Sequence, residues 1–318
     1  MLLSICSPVY RAEKIIPELV RCIEAAVKQI TEDYEIILVE DCSPDGSWEV
    51  IKKLCESNRK VVGVKLAKNS GQHNAITAAL TYAKGEYVVV MDCDLQDDPK
   101  YIPELLAEAR KGYHIVYTSK YRRKHSTFKN ITGKLYGYFL LKLTGNEDLY
   151  KSEVGSYSLL SRKAVDAFLL YKDVHRHYLM ILRRLGFKCT TIRIEHQQRY
   201  EGKSSYNFIK LLNHAIDGVV SQSNRLLYLS VYIGLGIFAL SFLFIILLIV
   251  LYFMKGFLSG WTSIMVMLLL SIGLIMLIFG IHGLYIGKIF DQVKQRPLYI
   301  VEEKLNYHDE MEETRPNL

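Results

Sequence analysis

Asp92 and Asp94 stand one residue apart in the stretch Met91-Asp92-Cys93-Asp94-Leu95-Gln96-Asp97-Asp98-Pro99. Two carboxylates at that spacing can hold a hard divalent cation that still needs oxygen ligands from a diphosphate, an electrophilic aid to a leaving nucleotide. Alone, an Asp-x-Asp is weak, because any acidic loop or helix cap supplies one. Asp97, Asp98 and Pro99 read as such a cap, with proline at the first helical position. The pair gains weight because it ends a β-rich run, as do two other polar clusters, Ser7-Pro8-Val9-Tyr10 and Glu40-Asp41-Cys42-Ser43-Pro44-Asp45-Gly46-Ser47.

The elements that must position these clusters alternate along the chain. Strand-like runs fall at 2–6, 35–39, 61–66, 87–91 and 115–118, with amphipathic stretches between them. Ile15, Leu19, Cys22, Ile23 and Ala26, for example, repeat at helical spacing. This βαβ grammar predicts a mostly parallel sheet. Ligands of such sheets bind beyond the carboxyl ends of the strands, so the clusters should border a single crevice. Cys6, Cys22, Cys42, Cys55, Cys93 and Cys189 form no CxxC pair or His-spaced metal pattern and read as reduced packing residues. His73 and His282 read as structural, having no partners at ligand spacing.

Of the 318 residues, 50% are hydrophobic and 23% charged, which excludes a disordered chain or a low-complexity fibre. Forty Lys plus Arg against 33 Asp plus Glu leave a net charge of +7, which suits anionic partners: nucleotides, nucleic acid or anionic lipid. The apolar residues crowd toward the C-terminus. Residues 226–254 carry no charge and 256–287 contain no Asp, Glu, Lys or Arg, while a membrane span needs about 20 residues. Between them, Lys255-Gly256-Phe257-Leu258-Ser259-Gly260-Trp261 reads as a tight hairpin loop with an interfacial Trp. Lys203, Lys210 and Arg225 before the pair, and Lys288, Lys294 and Arg296 after it, place both flanks in the cytoplasm. The apolar run at 2–6 is short and stopped by Pro8, so it does not read as a signal peptide.

The motifs in order resemble the family 2 glycosyltransferases with a GT-A fold, and among them the membrane-anchored polyprenyl-phosphate glycosyltransferases related to dolichol-phosphate mannose synthase. They are Ser-Pro-Val-Tyr (7–10), Val-Glu-Asp-Cys-Ser-Pro-Asp-Gly-Ser (39–47), Lys-Asn-Ser-Gly-Gln-His-Asn-Ala (68–75) and Met-Asp-Cys-Asp-Leu-Gln-Asp-Asp-Pro (91–99). Farther on stand Arg199-Tyr200-Glu201-Gly202-Lys203-Ser204-Ser205-Tyr206 and Arg296-Pro297. The resemblance implies an α/β GT-A domain (Rossmann-like, mostly parallel sheet) at 1–205. A juxtamembrane amphipathic helix at 206–225, transmembrane helices at 226–254 and 262–287, and a cytosolic tail at 288–318 would follow. The enzyme would lie in the plasma (inner) membrane, multi-pass, with the catalytic domain and both termini cytoplasmic.

The same resemblance implies roles. Pro8, Tyr10, Glu13, Glu40, Asp41, Gly71, Asp92, Cys93 and Gln96 would hold the nucleotide sugar, with Glu40 in the place of the family's usual first Asp. Asp92 and Asp94 would bind Mg2+ or Mn2+. Asp94, Arg199 and Lys203 would be catalytic, the last two gripping phosphates through charge-assisted bonds. Arg122, Arg123, Lys129 and Ser204 would meet the acceptor phosphate. The implied reaction is inverting transfer of a sugar from a UDP- or GDP-linked donor to polyprenyl phosphate. Its partners are the nucleotide sugar, the lipid phosphate and the bilayer, with a homo-oligomer allowed by the small residues Gly234, Gly236, Gly273, Gly280, Gly283 and Gly287; nucleic acid is not among them.

The basic cluster Lys120-Tyr121-Arg122-Arg123-Lys124-His125 with Lys129 precedes the apolar, aromatic 135–141 stretch, a pattern that suits a membrane surface and equally a solvated basic loop. Alternatives are transfer to another lipid-linked or polysaccharide acceptor, or a non-catalytic membrane scaffold with a nucleotide-binding domain. The sequence departs from many relatives at Gly155-Ser156-Tyr157-Ser158-Leu159, where Ser156 and Ser158 replace an acid and an arginine. His175, Arg176 and His177 fall near the sugar-proximal helix that the resemblance implies, though a surface helix start explains them as well. The acidic residues after Pro297 read as a flexible end or an oligomer strap.

Overall fold

The computed structural model describes residues 1–120, 154–195, 260–307 and scattered positions between 227 and 254. They fall into two units. The first contains 1–124, 151–204 and 296–318, the second 125–150 and 205–295.

The first unit opens with β1 (Leu3–Val9), α1 (Ile16–Val27), β2 (Tyr34–Glu40), α2 (Ser47–Ser57), β3 (Val61–Leu66), α3 (Gln72–Tyr82) and β4 (Tyr87–Val90). A 3-10 turn at Pro99–Tyr101 leads into α4 (Ile102–Arg110), followed by β5 (Ile115–Lys120) and β6 (Val154–Ser161). Then come α5 (Arg162–Leu170), α6 (Tyr178–Arg184), β7 (Cys189–Ile194) and, near the C-terminus, β8 (Val301–Leu305). All five strands read from the sequence are present, and β6, β7 and β8 join them.

The strands form one sheet in the order β7-β5-β6-β4-β1-β2-β3-β8. β4, β1, β2 and β3 run parallel. β6 is antiparallel to β4 and β5, β7 is parallel to β5, and β8 is antiparallel to β3. The sheet is therefore mixed, with a parallel heart. Pro8 is tolerated inside central β1 because β4 pairs with it only as far as Cys6, and beyond that point the strand has a neighbour on one side alone.

Every residue of β1 and β2 is buried, which a strand achieves only when both sheet faces are covered. Alternation deals Leu3, Ile5, Tyr34, Ile36 and Leu38 to a core shared with α1, α2 and α4. Cys6, Ile37 and Val39 go to a second core with α3, α5 and α6. The carboxyl ends of the strands, not the faces, are left for ligands.

The described part of the C-terminal segment, expected as a flexible end or an oligomer strap, joins the sheet of the first unit. Residues Val301–Leu305 pair with β3, Lys65 Nζ meets Glu302 at 3.0 Å, and Trp48 Nε1 donates to Glu303 at 3.0 Å. Asn306, with φ +57°, donates to the carbonyls of Cys55, Asn58 and Val61 at 2.7, 3.2 and 2.9 Å. Charges that look like a solvated tail are thus spent pairing an otherwise bare sheet edge.

In the second unit, α7 (Trp261–Val293) is 33 residues long, about 50 Å at 1.5 Å per residue. Ile272, Ile275, Phe279, Ile286 and Phe290 are exposed along it. Its Ser271–Val293 stretch is long and apolar enough to cross a membrane. The helix continues past the expected end at 287, through Lys288 and Asp291, because Ile289, Phe290 and Val293 extend its apolar surface. Most of the other expected span, 226–254, lies outside the described residues; the positions described there are helical.

Two of the six cysteines depart from the packing role. Cys6 and Cys55 are buried, but Cys42 and Cys189 are exposed.

Candidate active site

The carboxyl ends of β1, β2, β3 and β4 and the amino end of β6 meet along one edge of the sheet. Three residues there hold left-handed backbone without being glycine: Arg11 after β1 (φ +53°), Cys42 after β2 (φ +49°) and Leu95 after β4 (φ +57°). Such strain costs on the order of 1–3 kcal/mol per residue and persists only where the surroundings enforce it.

Those surroundings are hydrogen bonds between the loops. The Arg11 amide donates to Ser43 Oγ at 2.7 Å, the Ala12 amide to Ser47 Oγ at 3.1 Å and the Glu13 amide to Asp45 Oδ2 at 3.3 Å. Glu13 returns the contact by accepting from the Gly46 amide at 3.1 Å. A Cβ at 46 would sit 2.8 Å from the Glu13 carboxyl, so a larger residue there would push that side chain aside. Burial pushes the Asp45 carboxyl up, but the hydroxyls of Ser43 and Ser47 outweigh it and leave Asp45 below its ordinary value. Tyr10 stays exposed, with the Arg11 guanidinium 5.5 Å from its ring centre.

Asp41 ties the second loop to the third. It is 4% exposed, and its two oxygens accept from the Ser70 amide at 2.6 Å and the Gly71 amide at 2.9 Å. Gly71 has φ +87° and caps α3, so the carboxylate sits where the helix dipole favours negative charge. Burial still raises Asp41 above its usual range, with the two amides pulling the other way. Asp41, expected to meet the ribose or base, also ties the second and third loops together through those two bonds.

Glu40 is buried beside it and accepts from the Ser43 amide. Its Oε2 and the nearby Ser7 Oγ are buried without a hydrogen-bond partner among the described residues. Burial raises Glu40 too, against the pull of that amide.

At the end of β4, Asp92 Oδ1 accepts from Gln72 Nε2 at 2.8 Å and Oδ2 from Ser156 Oγ at 3.1 Å. Asp94 Oδ1 accepts from the Gln96 amide at 3.1 Å, a turn that closes Asp94-Leu95-Gln96. Between them, burial pushes the Cys93 thiol up to about 12, which favours its protonated form near neutral pH. Asp98 caps the 3-10 turn, as its spacing predicted, by accepting from the Lys100 amide at 3.0 Å.

Pro8, Tyr10, Glu13, Glu40, Asp41, Gly71, Asp92, Cys93, Asp94 and Gln96 thus all fall on this one edge. Arg122, Arg123, Lys129, Arg199, Lys203 and Ser204 lie outside the described residues. Arg176 is buried and donates to the Phe168 and Tyr171 carbonyls at the end of α5, which makes it a structural anchor. His177 packs against His73 with ring centres 4.4 Å apart. Sequence reasoning missed Gln72 and Ser156 as partners of Asp92. Both stood in quoted segments, but only the strand register shows them meeting.

Among the described residues no group of three or more His, Cys, Asp and Glu is placed to hold a metal ion. What the edge offers is the Asp92 and Asp94 pair, hard oxygen donors suited to Mg2+ or Mn2+ when a diphosphate supplies further oxygens.

A parallel-hearted sheet flanked by helices on both faces, with an Asp-x-Asp turn at its carboxyl edge, defines a GT-A-like α/β enzyme. Residues 4–169 match the model of glycosyl transferase family 2, and the chain belongs to that family: it is a family 2 glycosyltransferase. An uncharacterized glycosyltransferase of Bacillus subtilis, YkcC, is 34% identical over 304 residues, covering 94% of this chain and 93% of its own. The undecaprenyl-phosphate 4-deoxy-4-formamido-L-arabinose transferase of Aeromonas hydrophila is 32% identical over 307 residues, with 94% and 93% covered. Its Proteus mirabilis counterpart is 31% identical over 307 residues, with 94% and 92% covered.

Proposed function

We propose that this enzyme transfers a sugar from a UDP- or GDP-linked donor to polyprenyl phosphate at the cytosolic face of the membrane, with inversion. The observation that carries the reading is the Asp92-x-Asp94 turn at the carboxyl edge of a chain similar over almost its whole length to undecaprenyl-phosphate sugar transferases.

In this reading the loops after β1 and β2, with Pro8, Tyr10, Glu40 and Asp41, receive the nucleoside, and Gln96 lines the sugar pocket. Asp92 and Asp94 would hold the cation, which supplies charge neutralisation to the departing diphosphate. An oxygen of the acceptor phosphate attacks the anomeric carbon from the face opposite the leaving group. The carbon–oxygen bond to the diphosphate breaks, and its electron pair leaves with the nucleoside diphosphate. The attacking oxygen is already anionic near neutral pH, so no strong general base is needed. Catalysis then comes from positioning and from cationic side chains, Arg199 and Lys203, against the leaving charge. Arg122, Arg123, Lys129 and Ser204 would meet the acceptor phosphate. α7 and the apolar 226–254 segment would form the hairpin that holds the site at the bilayer, with both termini in the cytoplasm.

The test is incubation of detergent-purified protein with undecaprenyl phosphate, Mn2+ or Mg2+, and a panel of radiolabelled UDP- and GDP-sugars, with Asp94→Ala alongside. Labelled lipid formed by the wild type and absent with the variant supports the proposal and names the donor. Nucleotide release without labelled lipid would replace the acceptor; no turnover with any donor would overturn the reading.

A further inference from the structure

β6 runs antiparallel to β4, with Tyr87 opposite Ser161 and Val90 opposite Ser158. Carrying that register two residues past β4 sets Asp92 opposite Ser156. Strand alternation then puts 156 and 158 on one face and 157 on the other. The contacts follow this geometry. Ser156 Oγ donates to Asp92 Oδ2 at 3.1 Å, and Ser158 Oγ donates to the Ser156 carbonyl at 2.9 Å. Ser158 Oγ also shares a 2.8 Å hydrogen bond with the Tyr178 hydroxyl. Tyr157, on the opposite face, donates to the Asp98 carbonyl at 3.2 Å.

Ser158 and Tyr178 are 0% and 1% exposed, so this line of hydroxyls is anchored in the core and ends at the Asp92 carboxylate. On the other side of that carboxylate, Gln72 Nε2 donates to Oδ1 from the first turn of α3. A carboxylate turns about its last single bond, and a donor on each oxygen fixes its plane. Gln72 and Ser156 are both neutral, so they orient Asp92 without neutralising the charge that would attract a cation.

We propose that Ser156 is the positioning residue for Asp92 as a cation ligand, held in turn by Ser158 and Tyr178. The inference rests on the reading of Asp92 as a cation ligand given above. Partners behind a metal ligand contribute about 10–100-fold to metal affinity, so Ser156→Ala should weaken the cation site while leaving the fold in place. Ser156→Thr keeps the hydroxyl and should retain the affinity.

The experiment is titration of the full-length protein with Mn2+, with UDP present and in a parallel series GDP, reading free Mn2+ by electron paramagnetic resonance. The variants are Ser156→Ala, Ser156→Thr, Tyr178→Phe and Asp92→Asn. Support is a loss of about 10–100-fold with Ser156→Ala, a smaller loss with Tyr178→Phe, wild-type affinity with Ser156→Thr, and abolished binding with Asp92→Asn. Wild-type affinity in Ser156→Ala while Asp92→Asn loses the ion overturns the positioning role and leaves the cation site standing. Wild-type affinity in Asp92→Asn removes Asp92 as a ligand and overturns both. Because no acceptor lipid enters the assay, neither outcome depends on the proposed acceptor.

Discussion

Replacing Asp41 by Asn tests whether the loops of the site are held by one buried carboxylate. Its oxygens accept from the Ser70 and Gly71 amides at 2.6 and 2.9 Å. Asn offers one acceptor oxygen, so one of the two amides would face an N–H2 group instead. Losing one hydrogen bond to a charged group costs about 1.5–3 kcal/mol. Asp41 is raised by burial, and removing the charge returns part of that desolvation cost. The net is roughly 2 kcal/mol, or a fall in Tm of about 4–8 °C for a unit of this size. Asp41→Ala strands both amides and should cost about twice as much. The adjacent residue in α3 is Gln72, which donates to Asp92 at 2.8 Å, so the initial rate of sugar transfer should fall with the melting temperature. The measurement is a fluorescence melt in detergent without added cation, beside the rate at saturating donor. An Asp41→Asn protein that melts within 1 °C of wild type, or an Asp41→Ala protein no worse than Asp41→Asn, would refute the reasoning.

Glu40→Gln should stabilise the unliganded protein at neutral pH by about 1 kcal/mol, since a buried carboxylate with one oxygen unpartnered carries a desolvation cost. Burial raises the folded value of Glu40, so the wild type loses stability as pH rises from the ordinary carboxylate value through the folded one. The advantage of Gln should therefore be absent below about pH 4 and level off above the raised value; melts across pH check it, and a constant difference at every pH would contradict it. Asn306→Ala removes the donor to three carbonyls and should cost about 1–3 kcal/mol, seen as a lower Tm; an unchanged melt would mean that β8 holds without this anchor. Iodoacetamide at pH 8 should label exposed Cys42 and Cys189 well before Cys93, whose thiol burial has pushed up to about 12; early labelling of Cys93 by mass spectrometry would show that the Asp92 turn opens.

The five alternating strands were legible because buried parallel strands carry uninterrupted apolar runs, and the polar clusters at their ends marked the site edge. β6 was not, because Ser156 and Ser158 look like loop residues until the register shows one meeting Asp92 and the other buried against Tyr178. β8 was hidden by its charges: Val301-Glu302-Glu303-Lys304-Leu305 pairs through backbone bonds at an edge, where acidic side chains meet Lys65 and Lys52. The structural tie of Asp41 was hidden for a related reason: only the fold shows that its oxygens accept from the Ser70 and Gly71 amides.

The pairing of β8 with β3 has a consequence for biosynthesis. Trp48 and Glu303, which share a hydrogen bond, are 255 positions apart, and α7 lies between them in the chain. At about 5–20 residues per second, a ribosome needs roughly 13–50 s to cover that distance. During that interval the nascent enzyme carries β3 with an unpaired edge. The long apolar helix α7 is therefore made before the strand that closes the sheet, so the catalytic unit is completed only after that helix has been synthesised.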